Sequence, residues 1–114
     1  MNDRELLELA AKAAGIKLLK VEIYPNGFTE AVREGFNPNG GNIWNPLTDD
    51  GDALRLAVKL GMDVCFGASY VIVRGSVQSP IVNNANDPYA ATRYAITRAA
   101  AEIERARITT EDGK

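Results

Sequence analysis

Hydrophobic positions recur along this chain with two periods, and the switches between them outline its elements. Leu6, Leu9, Ala10 and Ala13 fall at helical spacing behind Asn2, a capping residue with Glu5 three positions on, and Gly15 is a natural stop. Over residues 17–24 the period becomes two. Leu19, Val21 and Ile23 alternate with Lys20, Glu22 and Tyr24, which is the pattern of a half-buried strand. Pro25-Asn26-Gly27 supplies a turn, so residues 28–33 can return as an antiparallel partner. Residues 35–42 hold three glycines and three asparagines and read as a surface loop.

Helical spacing returns over residues 50–60, with Ala53, Leu56, Ala57 and Leu60 on one face and Gly61 closing it. Two strands follow, Asp63–Phe66 and Tyr70–Arg74, joined by a turn at residues 67–69. A further strand is expected within 76–82, held to an edge or a strand end by Pro80, and then a polar loop over 83–86. Asp87-Pro88 opens a long helix with a cap followed by proline at its first position. Its stripe is Ala91, Ala95, Ile96, Ala99 and Ile103. The predicted fold class is α+β, a layered helix/antiparallel sheet/helix sandwich. A single domain is expected over 1–108, with a polar tail over 109–114.

Composition narrows the chemistry more than it names it. At 114 residues the chain fits one core, and its 13 basic and 15 acidic residues leave a net charge of −2, which argues against nonspecific nucleic-acid binding. No apolar run is long enough to span a membrane and no leader pattern opens the chain, so a cytoplasmic location is expected. There is no histidine, which removes Ser-His and Cys-His nucleophile pairs and the commonest metal ligand. The lone Cys65 lies in a strand and reads as a buried, inert thiol. No catalytic residue, metal site or cofactor is predicted.

Four constellations remain. Asp49, Asp50 and Asp52 offer oxygen ligands for Mg²⁺ or Ca²⁺, but capping and the helix dipole explain them better. Residues 37–42 lack the Lys and Ser/Thr that a phosphate-binding P-loop needs, which leaves a connector or a lid. Arg93, Arg98, Arg105 and Arg107 decorate the long helix, and Arg55 and Lys59 are spaced i, i+4 on the middle one. A solvated face is the ordinary meaning, but arginine is also the side chain best shaped to grip phosphate. Tyr24 and Phe28 flank a turn and are candidates for stacking on a planar ligand.

The segment Trp44-Asn45-Pro46-Leu47-Thr48-Asp49-Asp50-Gly51-Asp52-Ala53 resembles the tryptophan-led helix entry of the phage ABA-sandwich domain family. The alanine-rich helix from Asp87-Pro88-Tyr89 to Ala101 is similar to that family's closing helix, and residues 5–15 to its leading helix. Residues 25–41 fall outside the resemblance. It implies a layered helix-sheet-helix fold and a bacteriophage or prophage origin, and it brings no catalytic residues. The resulting expectation is a non-enzymatic accessory protein that counters or modulates the host. It would sequester a small ligand such as a signalling nucleotide, or bind a host protein, and would act as a homo-oligomer. Arg93 and Arg98 are the candidates for phosphate, Trp44 and Tyr24 for the base. The alternatives are a metal-dependent phosphodiester hydrolase using Asp49, Asp50 and Asp52, and a structural or assembly component.

Overall fold

A computed structural model describes residues 1–34, 42–75, 80–83 and 86–112, with side chains up to residue 109. The order is α1 (Asp3–Ala13), β1 (Leu18–Ile23), β2 (Thr29–Arg33), α2 (Asp50–Lys59), β3 (Asp63–Phe66), β4 (Tyr70–Arg74), β5 (Ile81–Asn83) and α3 (Pro88–Asp112). The fold is α+β, with three helices layered on antiparallel sheet. That sheet comes in two pieces: a β1-β2 hairpin and a β3-β4-β5 meander with β4 at its centre.

Local chemistry sets the helix ends. Asn2 accepts from the Glu5 amide at 2.8 Å, Asp49 from Asp52 at 2.8 Å, and Asp87 from Tyr89 and Ala90 at 3.0 and 3.1 Å. Each thereby satisfies first-turn amides that have no partner inside the helix. α1 and α2 both stop at a glycine in the left-handed region, Gly15 at φ 74° and Gly61 at φ 65°. At each stop a pair of reversed bonds forms, Gly15 to Lys12 and Ile16 to Ala11, then Gly61 to Val58 and Met62 to Ala57.

The core is built on alanine. Val71 and Val73 of β4 meet Ala95, Ile96 and Ala99 of α3, while Leu7, Ala10 and Ala11 of α1 and Ala53, Leu56 and Ala57 of α2 complete it. α3 packs against α1, α2, β4 and β5, and between Ala95 and Glu104 only Arg98 is fully exposed and only Ile103 half-buried. Small side chains let the other layers approach it from several sides. Two glutamates buried on α3 each keep a counter-charge one turn on, Glu102 with Arg105 at 3.4 Å and Glu104 with Arg107.

Several expectations shift. The buried stripe of α1 is Leu6, Leu7, Ala10, Ala11 and Ala14, with Leu9 and Ala13 only half-buried, because the face is chosen by the contact with α3. In β1 the register slips between Leu18 and Lys20, which turns Leu19 out to solvent at 60% exposure and brings Leu18 to the core. Ile23, at the turn end of β1, is exposed as well. β5 runs from Ile81 to Asn83, overlapping the end of the expected strand, whose residues 76–79 lie outside the described residues. Most of the loops expected over 35–42 and 83–86 lies outside the described residues. α3 continues to Asp112, so the tail expected from 109 is helical there, with no helix breaker before Gly113. Among the described residues no helix is long and apolar enough to cross a membrane.

Candidate functional site

Two concavities lie on either side of α2. Their positions follow from how the segment after β2 is fastened. Residues 42–44 run along β2, with the Trp44 amide bonded to the Ala31 carbonyl at 2.9 Å. Asn45 then acts as a three-way pin. Its side-chain amide donates to the Thr29 carbonyl at 2.9 Å, its side-chain oxygen accepts from Leu47 at 2.9 Å, and its own N–H donates to Asp52 Oδ2 at 2.9 Å. Asn45 is almost fully buried, so each of these bonds replaces water that cannot reach it. Trp44, at 3% exposure, packs in the core with Leu56 of α2.

Beside Trp44 is a cleft of about 310 Å³. One wall is the end of α1 at Gly15 and Ile16. The others bring Arg33 from the end of β2 and Arg55 and Lys59 from one face of α2. Three cationic side chains from two elements converge there, and no carboxylate lines the cleft among the described residues. Arg33 and Lys59 make no ion pair with any described residue. Arg55 is engaged, 2.8 Å from Asp52 Oδ1 and 3.8 Å from Asp49 Oδ2.

The second concavity is an apolar groove of about 580 Å³ between α2, β3 and the start of α3. Val64 and Ile96 lie in it, and Leu54, Phe66 and Tyr89 stand along it at 64%, 70% and 70% exposure. The ion pair of Arg93 with Asp50 closes one side.

The residues singled out from sequence are not brought together. Trp44 lines the cationic cleft, but its buried ring gives a wall and no stacking face. Arg93 is committed elsewhere: Nη1 pairs with Asp50 Oδ1 at 2.6 Å and Nε donates to the Leu47 carbonyl at 2.9 Å. Arg98 is exposed on α3, about 140° around the helix from Arg93 at 100° per residue, so the two cannot converge on one phosphate. Tyr24 sits at the hairpin tip, its ring 6.0 Å from Phe28 and tilted by 35°. Its hydroxyl donates to Glu30 at 3.3 Å. The Glu22 carboxylate beside it, with partial burial and Glu30, pushes the phenol up to about 12.

The three acidic residues of the α2 entry each have a different task. Asp49 caps, Asp50 pairs with Arg93, and Asp52 holds Asn45 and Arg55. Among the described residues no three acidic or cysteine side chains are gathered as a metal would require. Cys65 is half-buried rather than buried, and Arg74 donates to its sulfur at 3.4 Å. Sequence reasoning noticed Arg55 and Lys59 as an i, i+4 pair but had no signal for Arg33, whose proximity to them is purely tertiary. Compared with family models, curated proteins and solved structures, the chain matches none at a significant level.

Proposed function

We propose that this is a non-enzymatic binding protein that sequesters a small phosphate-bearing ligand, of the signalling-nucleotide kind, in the cleft beside Trp44. The observation that carries the reading is the convergence of Arg33, Arg55 and Lys59 on one concave site whose described lining holds no carboxylate, Asp49 and Asp52 meeting Arg55 from outside that lining. Guanidinium and ammonium groups so gathered attract an anion, and arginine adds two-pronged geometry suited to phosphate. Ile16, Leu56 and Trp44 supply apolar surface for the rest of a small molecule. The cleft's cations bind and hold; they are not arranged as a nucleophile beside a base, and this favours sequestration over turnover.

The biological setting rests on the Trp44–Ala53 segment and the alanine-rich α3, which resemble the phage ABA-sandwich domain. On that basis the protein acts in the cytoplasm of a bacterial host as a bacteriophage or prophage accessory that blunts a nucleotide-based defence. The decisive experiment incubates purified protein with linear and cyclic nucleotides, removes free ligand, denatures the protein and identifies what is released. Intact nucleotide in stoichiometric amount, lost in the Arg33→Ala/Lys59→Ala double variant, is the expected result. No retained nucleotide overturns the proposal. Recovery of an altered nucleotide replaces it with a hydrolase.

A second reading has its own observation. Leu54, Phe66 and Tyr89 leave an apolar groove open to solvent, as a surface does that meets a host protein or another copy of the chain. A Phe66→Ser variant that loses self-association, or capture of a host protein, would favour it.

A further inference from the structure

We infer that the cleft selects a terminal phosphate, the dianionic phosphomonoester of a linear nucleotide, over the monoanionic phosphodiester of a cyclic one. This deepens the nucleotide-binding reading above and rests on it. The discriminating residue is Arg55, because it alone of the three cleft cations already faces anions.

Those anions are fixed. Asp52 is only 13% exposed at its side chain and is held from both ends, Oδ1 by Arg55 and Oδ2 by the Asn45 amide. Asp49 is held by its capping bond to the Asp52 amide. Gly51 makes room for the arrangement. A Cβ there would sit 3.1–3.2 Å from both terminal guanidinium nitrogens of Arg55 and from Asp49 Oδ2, so a side chain at position 51 would push the Arg55 head or the Asp49 carboxylate aside by a few tenths of an ångström.

An incoming ligand therefore competes with two built-in carboxylates for Arg55. A phosphodiester carries one negative charge and offers Arg55 little that Asp52 does not already give. A terminal phosphate, above its second pKa of roughly 6, approaches two charges and presents three acceptor oxygens. Arg33 and Lys59 make no ion pair with any described residue and attract either kind of phosphate. Arg55 responds only to the one with charge to spare.

The test is calorimetric titration of the full chain with two matched probe pairs, AMP against 3′,5′-cyclic AMP and GMP against 3′,5′-cyclic GMP. A second set uses Asp49→Asn, which keeps a capping side chain while deleting one competing charge. The expected wild-type result is about tenfold or more tighter binding of the linear member of a pair at neutral pH. That margin shrinks as the pH falls through roughly 6 and the phosphate takes up its second proton. In Asp49→Asn the cyclic member should gain about two- to fivefold, the size of an exposed ion pair, and the margin should narrow. Cyclic nucleotide bound as tightly as linear, or a margin unchanged in Asp49→Asn, overturns this inference and leaves the cleft a nucleotide site. Failure of wild type to bind any of the four overturns the nucleotide reading itself, and the inference with it.

Discussion

Arg93 Nη1 and Asp50 Oδ1 stand 2.6 Å apart across 43 positions of sequence and join the start of α2 to α3. The same guanidinium donates through Nε to the Leu47 carbonyl, so one side chain ties the Trp44 segment, α2 and α3 together. Arg93 is largely covered whereas Asp50 is mostly open, and the pair is worth correspondingly less than a buried one. Arg93→Ala is expected to lower stability by about 1–2 kcal/mol, most of it from the stranded Leu47 carbonyl. Urea denaturation followed by circular dichroism reads this directly. A change within error would mean that water replaces the arginine at no cost.

Asn45 should be the more sensitive position. Asn45→Ala strands the Thr29 carbonyl and the Leu47 amide in a buried place, at a cost of about 2–3 kcal/mol. Asn45→Asp keeps the acceptor for Leu47 but turns a carboxylate toward the Thr29 carbonyl, so it too should destabilise. Thermal melts of the two variants beside wild type would check the pair.

The hairpin carries a pH signature. Glu22 and Glu30 are cross-strand partners of like charge, relieved by Lys20 at 2.7 Å from Glu22 and by the Tyr24 hydroxyl at 3.3 Å from Glu30. The hydrogen bond from Lys20, and next the neighbouring Tyr24 hydroxyl, hold the Glu22 carboxyl below its ordinary 4.5, while the Lys20 bond to Glu22 raises Lys20 above 10.5. A raised phenol binds its proton more tightly folded than unfolded. Its contribution is thus complete below pH 10 and lost as the pH climbs toward about 12. The depressed Glu22 works in the opposite sense, contributing above its unfolded value and failing as acid protonates it. A phenolate absorbance titration should show one tyrosine titrating at about 12, and Glu22→Gln should bring it down. No tyrosine so displaced would show that the Glu22 contact does not persist in solution.

Trp44 is the only tryptophan and lies in the wall of the cationic cleft, so it reports on both burial and occupancy. Its emission should be blue-shifted and weakly quenched by iodide, as suits a ring 3% exposed. A saturating nucleotide that enters the cleft should change that emission, whereas one bound elsewhere leaves it alone.

Local signals carried much of this fold. The caps Asn2, Asp49 and Asp87 and the stops Gly15 and Gly61 are short-range chemistry, visible in a few adjacent letters, and β3 and β4 have the predicted bounds. The phase of α1 was not visible. Leu7 and Leu9 compete for the buried side, and only the presence of α3 decides for Leu7. The exposure of Leu19 needed a register slip that alternation alone cannot announce. The site was hidden for a related reason. Arg93 looks like a phosphate ligand until its partners, 43 and 46 positions away, are known, and nothing in the letters around Arg33 says that it will face Lys59.

The central place of α3 also sets the order in which the molecule can form. Leu6, Leu7, Ala10 and Ala11 of α1 find their main cover on a helix that begins at Pro88, so α1 stays sticky after synthesis until the chain has been made through α3. A chain interrupted before residue 88 would expose that stripe together with Val71 and Val73, the inner face of β4. Such fragments should aggregate or be degraded rather than fold, and the protein should acquire protease resistance in one step, when α3 slots between its neighbours.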